Sequence, residues 1–397
     1  MEKVADRIAR LSTSATLAMA QKSRELKAQG LDVISLSVGE PDFDTPDFIK
    51  EAAKKAIDDN FSHYSPVPGY PVLRQAIVKK LKKDNGLDYA EDQIIVSNGA
   101  KHSLANILQA VVNPGDEVIV PAPFWVSYIE LVKLAEGENV IISAGVESDF
   151  KITPEQLEAA ITPKTRAFLF SSPSNPTGSV YTKEELQALV DVFAKYPDII
   201  IISDEIYEYI TYGVDHVSIA QFPEVHDRVV VVNGVSKAYA MTGYRIGYMA
   251  APLWIAKACN KLQGQYTSGA NSVAQIASTE AINSDNSEVK RMVVQFNKRR
   301  DLVLDMMADI PGIKTCTPPG AFYVFPDVSS YFGKSNGETV IKDANELCLF
   351  LLEKKLIACV SGEAFGSPEC IRLSYAASEE QLIEAIKRLK DGLAMLK

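Results

Sequence analysis

Between residues 94 and 251 short apolar runs alternate with stretches of helical period. The runs are IIVS (94–97), EVIVP (117–121), NVIIS (139–143), AFLFS (167–171), IIIIS (199–203), VVVV (229–232) and IGYMAA (246–251). A strand with one wet face alternates apolar and polar residues, so runs without alternation predict strands covered on both faces, as in a parallel sheet. The helices between them announce their starts. Thr182, followed three residues later by Glu185, predicts a capping box opening EELQALVDVFAK. The fold class is therefore α/β, with a mostly parallel seven-stranded sheet between helices.

From about residue 289 the pattern changes. A long helical stretch, EVKRMVVQFNKRRDLVLDMMADI, breaks at Pro311-Gly312 and gives way to short strands, GAFYVFPD and CIRLSYA, among further helices. We expect a large domain over 39–288 and a smaller α+β domain over 289–397, completed by the N-terminal segment 1–38. MEKVADRIARLSTSATLAMA reads as an amphipathic helix followed by an extended segment. Glu2, Asp6 and the break at Ser12–Ser14 argue against a secretory leader. No stretch has the uncharged length of a membrane span.

The 397 residues carry a net charge of −10, and no basic stripe suited to a phosphate backbone stands out. The densest basic cluster, NKRR at 297–300, reads as a solvated helix face. Five widely spaced cysteines without a C-x-x-C pair argue against a zinc cage or a disulfide framework and fit a reducing cytoplasm. Nucleic acid, membrane and metal are thus not expected partners.

In open α/β sheets ligands gather at the carboxyl ends of strands. IIVS is followed by NGAKHSL, where Gly99 and Ala100 open a helix with free backbone N–H groups; EVIVP by APFWVSY with Trp125; AFLFS by SPSNPTG with Asn175. IIIIS leads to DEIYEYI, read as a helix start carrying Asp204 and Tyr207, and VVVV leads to NGVSK with Lys237. Singly these are a turn, a core tryptophan, an Asx turn, an N-cap and a solvated lysine. Together, phosphate donors, an aromatic ring, an amide, a phenol, a carboxylate and an amine match a phosphorylated aromatic aldehyde, pyridoxal 5'-phosphate. No G-x-G-x-x-G or P-loop motif competes.

These residues sit in motifs that resemble class I aminotransferases of pyridoxal-phosphate fold type I, from about Ser14 to the C-terminus: SVGEPDFDTP, HYSPVPGYPVLR, SPSNPTG, SDEIY, GVSKAYAMTGYRIG and IRLSYA, in the family's order. The resemblance implies that Lys237 carries the cofactor as an aldimine and shuttles the substrate proton. It also implies that Asp204 pairs with the pyridine nitrogen, that Asn175 and Tyr207 bond the ring's O3′, and that Trp125 stacks on the ring. Gly99, Ala100, Lys101 and Arg245 would surround the phosphate. Gly234 stands where many members carry a phosphate-binding hydroxyl, which Ser236 would supply instead. Tyr64 would reach the cofactor of a neighbouring subunit, implying a homodimer with shared sites. Arg372 would grip the substrate α-carboxylate, with Gly39 close by.

The subgroup most similar to this chain is the bacterial aspartate aminotransferases, in which the residues matching Lys101, Ser14 and Thr16 recognise the acidic side chain. The implied reaction moves the amino group of L-aspartate to 2-oxoglutarate in a ping-pong sequence. If Lys101 instead faces solvent, neutral or aromatic amino acids are the alternative. Prephenate is a further one, although Ser12 stands where some prephenate-using relatives look basic. A cofactor-binding regulator of DNA fits the acidic charge poorly. No role is assigned to His63, His102, His216 or His226.

Overall fold

The structure, a computed structural model, describes residues 4–397. A helical turn, Asp6–Ala9, precedes a separate helix, Ala15–Ala28, and then strand β1 (Ile34–Ser35). The expected N-terminal helix is thus a single turn, and the segment expected to follow it in extended form holds a second helix. The chain breaks where Ser12–Ser14 interrupt the apolar pattern, and Ser14 becomes the N-cap of the second helix. Glu2, used in the argument about a leader, lies outside the described residues.

All seven apolar runs are strands of one sheet: β2 (Ile94–Ser97), β3 (Glu117–Ala122), β4 (Glu138–Ser143), β5 (Thr165–Ser171), β6 (Ile200–Asp204), β7 (Val229–Gly234) and β8 (Gly247–Ala250). Their order is β2-β8-β7-β6-β5-β3-β4. Only β8 runs against its neighbours, β2 and β7. Successive side chains point to opposite faces of a strand, and both faces here meet apolar layers. Ile201, Val229 and Val231 face one core, while Ile200, Ile202, Val230 and Val232 face another. β4 departs from the expectation: it lies at the sheet edge, pairs with β3 alone, and only Ile142 in it is buried.

A second core gathers the helices Ser287–Ala308, Ala344–Lys355 and Glu379–Leu393 around short strands β9 (Tyr323–Val324), β10 (Ile357–Ala358), β11 (Val360–Ser361) and β12 (Ile371–Ser374). β1 pairs in parallel with β10. β9 is shorter than GAFYVFPD suggests, since Pro326 has no N–H to extend the ladder.

Two other readings need correction. NKRR is not simply a wet face: Arg299 is buried, clamps the Asp42 carboxylate through two bonds of 2.7 and 3.0 Å, and lies 4.9 Å from the centre of the Phe43 ring. DEIYEYI forms turns rather than a helix. The Glu205 N–H continues the sheet to the Val232 carbonyl, and the bonds that follow, Glu208 to Glu205 and Ile210 to Tyr207, span three residues. Among the described residues no helix is long and apolar enough to cross a membrane.

Candidate active site

The carboxyl ends of β5, β6 and β7 open into a cavity of about 350 Å³, roofed by the helix Ala15–Ala28 and closed on one side by β9 and β12. It brings together Ser14, Thr16, Gly39, Ala100, Lys101, Trp125, Asn175, Asp204, Tyr207, Ser236, Lys237, Arg245 and Arg372, residues that span most of the sequence. Two expected residues lie elsewhere. Gly99 sits beneath the Arg245 guanidinium and does not line the cavity; Tyr64 is 98% exposed, in an open groove with His63 and Ala270–Ser272.

Lys237 follows β7 by three residues, so the sheet holds its backbone rigidly. Its ammonium donates to the Gly39 carbonyl at 2.7 Å. Burial outweighs the carboxylate of Glu40 and, aided by the guanidiniums of Arg372 and Arg245, brings the amine down to about 8. Asp204 ends β6 and is 4% exposed. It accepts from the Tyr128 hydroxyl at 2.7 Å and the Ile206 N–H at 3.3 Å, with no cation in contact among the described residues. Burial pushes its carboxyl up to about 6.

The helix Ala100–Val111 points its N-terminus into the cavity, and first-turn N–H groups have no intrahelical acceptor. Gly99, at φ +84°, is required there: a Cβ would sit 2.3 Å from Arg245 Nη2. Arg245 is itself in the left-handed region, at φ 56°, which turns its side chain back over the helix start. Gly234, at the position where many members of the resembled family carry a hydroxyl residue, has no room for a side chain, since a Cβ would meet the Ile246 carbonyl oxygen at 2.8 Å. Lys101 lies 4.9 Å from the Trp125 ring centre, and burial with the nearby Arg245 charge lowers its amine.

Arg372 is 2% exposed and, among the described residues, pairs with no carboxylate. Its Nη atoms donate to Asn175 Oδ1 at 2.8 Å and to the Ser37 carbonyl at 2.6 Å, its plane stacks near Tyr323 and Phe365, and its Nε finds no partner among the described residues. A buried guanidinium with an idle N–H is a poor structural element and a ready receptor for an incoming carboxylate. Ser14 and Thr16 share a hydroxyl–hydroxyl bond of 2.8 Å above it all.

Sequence reasoning missed Tyr128, Tyr323 and Arg24, all of which line the cavity. Tyr128 lay in the quoted APFWVSY, three residues past Trp125. The Tyr323 and Tyr207 hydroxyls are bonded at 2.7 Å, and Tyr323 also fixes position 39: a Cβ there would be 2.2 Å from its hydroxyl oxygen.

The sequence model of the family described as aminotransferase class I and II matches residues 31–389. The chain belongs to that family. It is 49% identical over 396 residues to a probable aspartate/prephenate aminotransferase of Rhizobium leguminosarum bv. phaseoli, and 47% identical over 393 residues to the aspartate/prephenate aminotransferase of Cereibacter sphaeroides, covering 98% of both chains in each case. The crystal structure of the aspartate aminotransferase from Rhizobium meliloti superposes over 100% of both chains with a TM-score of 0.96 at 41% identity. That of Thermus thermophilus with maleate does so over 99% of this chain and 100% of the other, at 0.93 and 39%. The protein is thus an enzyme of the aspartate subgroup of class I aminotransferases, whose cofactor is pyridoxal 5'-phosphate. The site fits that group: a buried carboxylate lacking a cation, a lysine with a lowered amine, and a helix N-terminus under an arginine are all in place.

Proposed function

We propose that the enzyme transfers the amino group of L-aspartate to 2-oxoglutarate, giving oxaloacetate and L-glutamate by a ping-pong sequence. The observation that carries this reading is two of the cations left over once the cofactor is accommodated: Arg372 for the α-carboxylate and Lys101, in the cavity with Ser14 and Thr16, for a second carboxylate. The names of the relatives, and the maleate bound by the Thermus protein, support an acidic substrate.

Bound pyridoxal phosphate supplies an electron sink that makes the substrate Cα–H acidic. Lys237 would anchor it and then, with an amine lowered to about 8, take and return the Cα proton at Nζ. Asp204 would hold the pyridine nitrogen protonated. Asn175 and Tyr207 would bond the ring hydroxyl, Trp125 would cover the ring face, and the Ala100 helix end, Ser236 and Arg245 would hold the phosphate, with Gly99 leaving room for the Arg245 guanidinium. Tyr64 reaches the site of a second copy, making the enzyme a homodimer, and the setting is the cytoplasm.

A second reading adds prephenate as amino acceptor, favoured by the names of the Rhizobium leguminosarum and Cereibacter relatives. The test is the visible absorption spectrum of the purified enzyme before and after L-aspartate, with no keto acid present. A cofactor band that aspartate converts to its aminated form supports the proposal, and subsequent restoration by 2-oxoglutarate or by prephenate identifies the acceptor. A band that answers only to neutral or aromatic amino acids overturns the acidic substrate.

A further inference from the structure

The cavity holds more positive charge than this reading uses. Arg24, Lys101, Lys237, Arg245 and Arg372 line it, against one carboxylate, Asp204. The cofactor takes Lys237, its phosphate Arg245, the α-carboxylate Arg372 and a short side-chain carboxylate Lys101. Arg24 is left over.

Arg24 lies two turns past Thr16 on the roofing helix. Thr16, Ala20 and Arg24, spaced by four residues, share one helix face, and all three line the cavity. Ala20, small and buried, leaves that face open between the hydroxyl and the guanidinium. At 1.5 Å per residue the Cα of Arg24 stands about 12 Å along the axis from that of Thr16. The acid next to it, Glu25, is engaged by Gln21, and no carboxylate comes within ion-pair distance of Arg24 among the described residues. Lys101 belongs to a different element, beside Trp125 and within the field of Arg245. The two spare cations therefore approach the cavity from separate elements.

We propose that Arg24 receives the second carboxylate of dicarboxylic substrates longer than aspartate, so that one pocket serves two carboxylate spacings, Lys101 the short and Arg24 the long. This rests on the acidic-substrate reading above. It answers a problem that reading raises: a ping-pong enzyme working between aspartate and 2-oxoglutarate must seat, in one cavity, diacids that differ by a methylene.

The test uses the holoenzyme and unreactive acids: succinate, glutarate and adipate, with hexanoate as a monoacid control, their Kd values read from the cofactor band. Arg24→Gln is expected to weaken adipate about fivefold more than succinate, the order of an exposed ion pair. Arg24→Lys keeps most of that difference, and Lys101→Gln reverses it. A merely structural role for Arg24 would move all the acids together, and equal losses, or none, overturn the proposal. If the parent enzyme prefers adipate to hexanoate while Arg24→Gln changes nothing, the Arg24 assignment alone falls. If it binds hexanoate as tightly as adipate, the acidic-substrate reading falls and takes the proposal with it.

Discussion

Replacing Asp204 with asparagine is expected to stabilise the cofactor-free enzyme while weakening its hold on the cofactor. The carboxyl sits at about 6 in the folded chain against an ordinary 3.8, because burial disfavours its charge. The folded value is raised, so ionisation penalises the fold; the penalty begins above the ordinary value, grows with pH, and is complete above about 6. A shift of about two pH units corresponds to about 3 kcal/mol near pH 8 and about 0.5 kcal/mol near pH 4. Asparagine can still accept from Tyr128, but it can turn its amide toward the Ile206 N–H, a 3.3 Å contact whose loss costs about 1 kcal/mol. The net expectation is a gain of about 2 kcal/mol near pH 8 and none near pH 4. Urea unfolding of the cofactor-free protein at the two pH values measures this directly. With pyridoxal phosphate added the ranking inverts, since the native carboxylate then has a cation and the asparagine does not. A cofactor-free variant no more stable than its parent near pH 8, or equally stabilised at both pH values, would refute the account of Asp204 as an under-compensated buried charge.

Two further outcomes follow from the same geometry. Arg372→Lys keeps the charge but not the fork that bonds Asn175 and the Ser37 carbonyl, and it removes one charge-assisted bond to the α-carboxylate, worth about 1.5–3 kcal/mol; steady-state kinetics should show the KM for aspartate rising about ten- to hundredfold, and an unchanged KM would contradict the assignment. His216 is held above its ordinary value because the Glu205 carboxylate outweighs the opposing effect of burial, so its stabilising contribution is full below the ordinary histidine range and is lost as pH rises through the raised value. His216→Gln should lower stability by about 3–5 kcal/mol and flatten that alkaline loss in a thermal melt.

How much of this could be read from the sequence depended on whether a residue's neighbours along the chain announce its surroundings. Strands buried on both faces must be apolar throughout, so their ends are visible; Asp204 closes such a strand, and Trp125, Asn175 and Lys237 stand just beyond others. Tyr323 offered no such contrast. It lies in GAFYVFPD beside Phe322 and Phe325, where a phenol looks like one more core ring, and its hydroxyl partner Tyr207 is 116 residues away. The NKRR cluster misled for the same reason: Arg299 finds Asp42 at a separation of 257 residues, which local charge pattern cannot signal. DEIYEYI carried a plausible N-cap, but Asp204 is tied to Tyr128 and Glu205 to β7, and tertiary bonds overrode the local preference.

Asp204 and Glu205 are consecutive, both buried, and point to opposite sides of β6, which makes them an internal control for what burial alone does. Glu205 accepts from Ser203 at 3.0 Å and Ser218 at 2.6 Å and pairs with His216 at 3.1 Å. Those partners overcome the effect of burial and hold its carboxyl below the ordinary value. Its neighbour Glu208 is likewise closed by Lys80 and by Asn85 at 2.9 Å. Although Glu205, Glu208 and His216 converge closely enough to suggest metal ligands, these partners make the cluster a charge-balanced structural network. Asp204 has equal burial but only a phenol and one long N–H bond, so its carboxyl moves the other way. Burial is common to both carboxylates; what separates the functional one is an unmet need for a cation on the cavity side, which the pyridine nitrogen of the cofactor is chemically suited to meet.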